Sequence, residues 1–310
     1  MFTGAVDIGG TKTSVGVVSE SGQLVARFEW PTPSMAHPED ATAAMATWFA
    51  SASAGKGVVL SGIGVGCTGP IDPTAGIVGN VDLLPGWTGF SLAKSLSQKT
   101  GLPVAVENDA DAGALAEVRW GAGRGAVRFL YITVSTGIGA GIVFDNQLYR
   151  GVSGAHPEIG HFSLDPNGPL CYCGATGCWE ALASGMAMIQ WARAHERAHA
   201  IPQDWTAREL CAYARLGDPR ALPAVRQEAE WLGLGIANLV TLFCPDVIAL
   251  GGGVMESFDL FFDTIARVVQ QRCTLVPSQK VKIVQAAFGK DAALMGAALV
   301  GHLREGIIAA

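Results

Sequence analysis

The chain has 310 residues, 49% of them apolar and 15% charged, with a formal net charge of −6. That length buries a large core and leaves room for roughly two domains, and the composition excludes an intrinsically disordered protein. The acidic balance, without a run of Lys or Arg, argues against a nucleic-acid partner, and no stretch of about 18 apolar residues is present to span a membrane.

The first basic residue is Lys12, so the N-terminus lacks the basic opening of a secretory signal. Seven cysteines, three of them crowded into Cys171, Cys173 and Cys178, suit a reducing compartment with a metal site better than a disulfide framework. A cytoplasmic protein is expected. The 40 glycines gather in short runs, which points to tight loops where backbone approaches a ligand.

In chain order, residues 4 to 18 predict an apolar strand, a turn at Gly9 and Gly10, and a second strand. A third strand follows near Leu24 to Trp30, then a helix from about Pro38 to Ala52. Val58 to Gly66 reads as a buried strand, Ser91 to Thr100 as a helix, and Val104 to Glu107 as a short strand feeding a helix from Asp109 to Trp120. Phe129 to Val134 and Gly139 to Phe144 repeat the strand, glycine loop and strand of the opening hairpin. Residues 151 to 180 form an irregular insertion rich in Gly, Pro and Cys. Helices are predicted from about Glu180 to Ala200, from Thr206, where Glu209 completes a capping box, and across Pro219 to Phe243. Val247 to Leu250 is a strand ending in Gly251, Gly252 and Gly253, and 291 to 304 is the final helix. Alternating strands and helices predict α/β layers. Two similar starts without a low-complexity linker suggest two related lobes packed around a cleft, where small-molecule sites tend to lie.

His161, Cys171, Cys173 and Cys178 carry the strongest chemical signal, a set suited to tetrahedral zinc closed on all sides. The bland alternative is a trio of buried thiols beside a histidine. A metal that fixes His161 through one ring nitrogen leaves the other to face a ligand. Glu158 and Glu180, held by the same clip, then offer paired acceptors for sugar hydroxyls; without the metal they read as surface acids. Asn108 and Asp109 sit where a strand ends and a helix begins. Asp109 suits an N-cap, and the pair equally suits sugar recognition with a general base, so the local residues leave both open. Asp7, Gly9, Gly10, Thr11 and Lys12 offer backbone N–H groups, a cation and a hydroxyl for phosphate, with an acid for Mg²⁺. Ser135, Thr136, Gly137 and Gly139 repeat that chemistry further along.

Together, Asp7-Ile-Gly-Gly-Thr-Lys-Thr13, Glu107-Asn-Asp-Ala-Asp111, Ser135-Thr-Gly-Ile-Gly139, Glu158-Ile-Gly-His161 and the Cys171 to Glu180 segment resemble the ROK family of repressors, open reading frames and sugar kinases. The resemblance spans essentially the whole chain. It implies an actin-like, hexokinase-type α/β fold with two lobes around a central cleft, and ATP-dependent phosphorylation of a hexose, usually at O6. Residues 1–115, with the helix 291–310 returning, would form the small lobe; 116–290, with a zinc loop at 161–180, would form the large one. By resemblance Asp109 is the catalytic base, and Asn108, Glu158, His161 and Glu180 hold the sugar. His161, Cys171, Cys173 and Cys178 bind structural zinc. The loops at Asp7 to Lys12 and at Thr136 and Gly137 take the phosphates of ATP with Mg²⁺, and Gly251, Gly252 and Gly253 lie by the adenosine. A homodimer is also implied.

Ser135 stands where many members have Gly, whereas N-acetylmannosamine kinases of the family resemble this sequence there, and His156-Pro157 is similar to some fructokinase-like members. Glu158, His161 and Glu180 together with the Leu84-Pro-Gly-Trp87 segment, seen in glucokinase-like members, favour glucose over N-acetylmannosamine, N-acetylglucosamine, fructose or mannose. A non-catalytic, sugar-responsive regulator is the rival class. Such members carry a DNA-binding domain ahead of the first glycine loop, and here six residues precede Asp7. Two further strings read as decoys. His195-Glu-Arg-Ala-His199 fits a zinc-protease pattern without an evident third ligand, and Gly64-Val-Gly-Cys-Thr-Gly69 fits a dinucleotide pattern without the acid that should follow.

Overall fold

The computed structural model describes residues 1–35, 37–80, 83–195 and 201–303. Its strands and helices are, in order, β1 (Phe2–Ile8), β2 (Lys12–Ser19), β3 (Leu24–Pro31), α1 (Pro38–Lys56), β4 (Leu60–Cys67), β5 (Ile71–Asp72), β6 (Ile77–Val78), α2 (Leu92–Thr100), β7 (Val104–Asn108), α3 (Asp109–Trp120), β8 (Arg128–Val134), β9 (Ile138–Phe144), β10 (Gln147–Leu148), α4 (Trp179–Ala183), α5 (Gly185–Ala194), α6 (Ala207–Arg215), α7 (Leu222–Phe243), β11 (Val247–Gly251), α8 (Phe258–Arg272), β12 (Lys282–Gln285) and α9 (Ala292–Leu303). They divide into two compact units. The first comprises residues 1–124, 141–157 and the chain from Asp291; the second comprises 125–140 and 158–290.

The first unit is built on a sheet of order β3-β2-β1-β4-β7. β1 and β2 form an antiparallel hairpin that sets Val6 opposite Val15, whereas β1, β4 and β7 run parallel. Strands covered on both faces need continuous apolar runs rather than alternation, and Val6, Ile8, Val15, Val17, Ile63 and Val65 are all fully buried, with Met45, Phe49 and Leu96 packed among them. The glycines of β4 have a packing reason. A Cβ on Gly64 would fall 1.7 Å from the carbonyl oxygen of Ala297, and one on Gly296 would fall 1.6 Å from that of Ala112. Only glycine lets α9 lie this close to β4 and α3, so the apparent dinucleotide string at Gly64 serves helix packing. The parallel register aligns Ile8, Cys67 and Asn108 across the strand ends. Asp7, Asn108 and Asp109 therefore gather at the carboxyl edge of these strands, the edge at which open α/β sheets bind ligands.

The second unit rests on β8, β11 and β12, which run parallel with Ala249 between Tyr131 and Val284. They belong to a sheet of order β10-β9-β8-β11-β12, and β9 carries the chain from the second unit into the first at Gly141. Phe129, Leu130, Ile132, Ile248 and Leu250 on these strands, and Phe261 and Ile265 on α8, are fully buried.

The single helix expected from Glu180 to Ala200 is instead two. Ser184 is extended, with φ −96° and ψ 166°, and its side chain accepts from Ala187 N to cap α5. A serine that caps gains more at a helix start than in a helix interior. α5 ends at Ala194, and residues 196–200 of the expected helix lie outside the described residues. The Thr206 and Glu209 capping box is present. The sequence reading assigned no element to 254–290, where the structure has α8 and β12. α8 buries Phe261, Ile265, Val268 and Val269, a helical spacing that would have revealed it. Among the described residues, no helix is long and apolar enough to cross a membrane.

Candidate active site

The junction of β7 and α3 is held by a set of side-chain hydrogen bonds to backbone. Asn108, 5% exposed, is the N-cap: its Oδ1 accepts from Ala110 N at 2.8 Å and Asp111 N at 3.3 Å, and its Nδ2 donates to Gly69 O at 3.2 Å. This corrects one of the two roles left open for Asp109, which is the first helical residue and not the cap. Asn108 N in turn donates to Glu107 Oε1 at 2.9 Å. The carboxyl of Asp109 is thus projected from a rigid helix start. Its charge is felt by Asp7, whose pKa is pushed up to about 8 by burial first and by Asp109 second. A buried Asp7 carboxyl beside a second acid forms a place for a proton or a cation.

Asp7 leads into the first glycine loop. The turn is closed by Gly9 N donating to Lys12 O at 3.0 Å, and Thr32 pins it from outside, donating through Oγ1 to Gly9 O at 2.7 Å and through N to Thr11 O at 3.0 Å. Thr11 and Lys12 are exposed at the tip, and Lys12 Nζ lies 3.2 Å from Glu29 Oε2. The lysine is held as an ion pair at the loop's flank.

In the second unit, the insertion folds back on itself before α4. Leu164 N donates to Gly177 O at 2.8 Å and Trp179 N to Phe162 O at 3.0 Å, and the fully buried Trp179 anchors the turn by donating to Trp231 O at 3.0 Å. The fold brings His161 and Cys171, Cys173 and Cys178 together with all four ligand atoms within 4.8 Å of one another. Cys173 Sγ lies 3.5 Å from Cys178 Sγ, and Cys171 Sγ 3.6 Å from His161 Nδ1. One imidazole and three thiols at such separations fit a tetrahedral zinc with Zn–S bonds of about 2.3 Å. Burial pushes the Cys171 and Cys178 thiols upward, a cost of crowding that a divalent cation reverses. Nδ1 of His161 lies by the Cys171 thiol, and its other ring nitrogen, Nε2, lies by the Tyr172 hydroxyl.

Glu180, on the first turn of α4, reaches the second glycine loop. Its Oε2 accepts from Ile138 N at 2.7 Å, and a Cβ on Gly137 would fall 2.2 Å from that oxygen. Ser135 N donates to Gly137 O at 2.9 Å, and Gly185 N to Ser135 O at 2.8 Å, so the loop at Thr136 is fixed from both sides. Gly251 closes β11, and Gly252, at φ +85°, leaves no room for a side chain beside Val134 O and Thr133 Oγ1. Glu158 is exposed just before the single turn Ile159–His161.

Three residues escaped the sequence reading as site residues. Tyr172 places its hydroxyl 3.0 Å from His161 Nε2. Arg150 and His156 meet Glu107 and Asp111 in a buried network within the first unit. The spacing of Cys171, Tyr172 and Cys173 could have flagged Tyr172, since a residue between two metal ligands must lie beside the metal. Arg150 and His156 have no local signal. The decoy His195 caps α5 and stacks on Trp191 with ring centroids 4.3 Å apart, while Glu196 to His199 lie outside the described residues.

A sequence profile of the ROK family matches residues 3–303. A glucokinase of Streptomyces coelicolor is 36% identical over 315 aligned positions, covering 96% of each chain. Among solved structures, a ROK hexokinase from Thermus thermophilus superposes with a TM-score of 0.81 at 36% identity, covering 99% of each chain. A ROK family glucokinase from Streptomyces griseus, solved with glucose and AMPPNP, superposes with a TM-score of 0.83 at 34% identity over 98% of this chain and 100% of its own.

Proposed function

Because the chain belongs to the ROK family and has its actin-like, hexokinase-type fold, we propose that it is an ATP-dependent hexose kinase that phosphorylates glucose at O6. The observation that carries the reading is the placement of Asp109 at the carboxyl edge of β7, beside an Asp7 whose pKa its charge helps to push to about 8. The similarity to glucokinases over the full chain supports glucose as the acceptor.

Phosphoryl transfer leaves a protein little covalent work; catalysis is positioning and charge stabilisation. As the O6 oxygen bonds to the γ-phosphorus and the bond to the ADP oxygen breaks, Asp109 accepts the hydroxyl proton. Asn108, Glu158, His161 and Glu180 hold the sugar. Backbone N–H groups at Gly10, Thr11 and Gly137, with Lys12 and Thr136, receive the phosphates, while Gly9, whose N–H closes the turn on Lys12 O, shapes the loop. Gly251, Gly252 and Gly253 lie by the adenosine. Asp7 would hold Mg²⁺, which would neutralise charge on the phosphates. Zinc at His161, Cys171, Cys173 and Cys178 is structural, since four protein ligands leave no open position. The protein is read as a cytoplasmic homodimer.

A coupled assay for ADP release across glucose, N-acetylmannosamine, N-acetylglucosamine, fructose and mannose tests this. Glucose should give the highest kcat/KM. Preference for an N-acetylated sugar would move the assignment within the family, and silence on every hexose would overturn the kinase reading in favour of a sugar-binding protein.

A further inference from the structure

Asp111 is completely buried, yet its carboxylate is shared by two cationic or polar partners from one distant segment. Arg150 Nη1 donates to its Oδ2 at 2.6 Å, and His156 Nδ1 lies 2.7 Å from the same oxygen. Arg150 also donates through Nη2 to Glu107 Oε2 at 2.6 Å. Glu107 is 7% exposed, and burial raises its pKa against the opposing pull of Arg150. Asp111 Oδ1 has no hydrogen-bond partner among the described residues.

Such a network is an uneconomical way to hold a core together. Desolvating two carboxylates and a guanidinium offsets most of their attraction, and apolar residues of similar volume commonly stabilise as well or better. Its yield is geometry. Charge-assisted hydrogen bonds in a dry setting are short and directional. These act on residues 107 and 111, which bracket Asp109. Glu107 holds Asn108 N through its other oxygen, and Asn108 caps the helix that begins at Asp109. Residues on both sides of Asp109, Asn108 through Glu107 and Asp111 directly, are therefore tied to Arg150 or His156.

We propose that Arg150 and His156 are positioning residues for phosphoryl transfer, clamping the β7–α3 junction through Glu107 and Asp111 so that Asp109 points at its proton. This rests on Asp109 being the base. Neither residue touches the reacting atoms. Facing a carboxylate oxygen, which can only accept, His156 Nδ1 is the donor of their hydrogen bond.

The test compares His156→Ala, His156→Asn and Arg150→Lys with the parent enzyme, alone and combined with Asp109→Asn. Displacement of a catalytic group by an ångström costs up to about a hundredfold in rate. His156→Ala and Arg150→Lys should lower kcat about tenfold or more while KM for glucose and for ATP stay within about twofold. Asn presents an N–H near the position of Nδ1, so His156→Asn should recover most of the loss. In the Asp109→Asn background, His156→Ala should have no further effect on kcat, because both changes remove one function. A His156→Ala enzyme with parental kcat, a loss that multiplies on that of Asp109→Asn, or a loss seen only as raised KM would each overturn the proposal. An Asp109→Asn enzyme with parental kcat would instead overturn the assignment of the base.

Discussion

The Tyr172 hydroxyl stands 3.0 Å from His161 Nε2, with the two rings edge to face and their centroids 5.1 Å apart. Burial, then the carboxylates of Glu180 and Glu158, push the phenol well above its usual range, and the hydroxyl also engages Glu180. An oxygen that accepts from the imidazole and donates to a carboxylate makes the pair of contacts a sugar hydroxyl would make there. With zinc on Nδ1, His161 has one N–H to give. Tyr172 is 70% exposed, so its side chain can yield to sugar at the expense of one hydrogen bond. A net hydrogen bond is worth about 0.5–1.5 kcal/mol. Tyr172→Phe is therefore expected to lower the glucose KM about two- to tenfold with kcat nearly unchanged. Steady-state kinetics decide it: a raised KM would make Tyr172 a sugar contact and not a competitor.

Asp109→Asn keeps the shape and burial of the helix start while removing the proton acceptor. The α3 cap belongs to Asn108, so the substitution leaves the helix intact. Turnover is expected to fall about a hundredfold or more, with glucose affinity within a few-fold of the parent. Single-turnover kinetics with direct glucose titration check both halves, and parental turnover would remove Asp109 from the role.

The elements nearest the proposed chemistry were the most legible. Asp7 to Lys12 reads as a hairpin tip because apolar runs flank a glycine pair, and the structure forms that hairpin. The four ligands of the cysteine loop converge as their spacing implied. The break at Ser184 is masked by the helix-favouring Ala181, Leu182, Ala183, Met186 and Ala187, although the Ser184-Gly185 pair is a turn signal, and the cap that Ser184 makes to Ala187 N shows it. Arg150 and His156 were illegible for a different reason. Their partners Glu107 and Asp111 lie about forty residues away in sequence, and no local period records a contact made by folding. Asn108 and Asp109 exchanged capping roles because both residue types cap well, and only backbone geometry distinguishes them.

The two glycine loops should respond differently to a methyl group. A Cβ on Gly10 meets the Leu83 side chain at 3.1 Å, and Leu83 is half exposed and free to shift. A Cβ on Gly137 falls 2.2 Å from Glu180 Oε2, which is bonded to Ile138 N. Gly10→Ala is expected to weaken ATP alone. Gly137→Ala should displace the Glu180 carboxylate and weaken ATP and glucose together. Separate calorimetric titrations distinguish them, and unchanged glucose binding in Gly137→Ala would show that Glu180 is not a sugar ligand.

Glu228 on α7 is 1% exposed, and neither carboxylate oxygen has a hydrogen-bond partner among the described residues. Burial raises its pKa well above the usual carboxylate range. The folded protein thus holds a proton here that the unfolded chain releases near pH 4.3. From that pH up to the folded pKa, this group lowers stability by up to about 1.4 kcal/mol per pH unit. Glu228→Gln removes the dependence. Its urea midpoint should exceed the parent's at pH 8, and the gap should shrink toward pH 5. An equal gap at both values would assign the effect to packing.

Zinc should be needed for sugar and not for nucleotide. The four ligands lie in one stretch, from His161 to Cys178, and that stretch presents Glu158, Tyr172 and Glu180 at its ends and centre. Without a cation, three thiols and an imidazole lack the interaction that draws them together, and the loop loses the closure that orients His161. The first glycine loop, by contrast, is pinned by Thr32 within the other unit and has no share in the metal. Cys173→Ala is the cleanest variant, because Cys173 is exposed and its loss opens no core cavity. Elemental analysis should find about one zinc per parent chain and little in the variant. Glucose binding should weaken at least tenfold in the variant, while ATP binding stays within about threefold. Metal-free protein that binds and phosphorylates glucose like the parent would show that the protein fold alone, and not the ion, sets the sugar ligands.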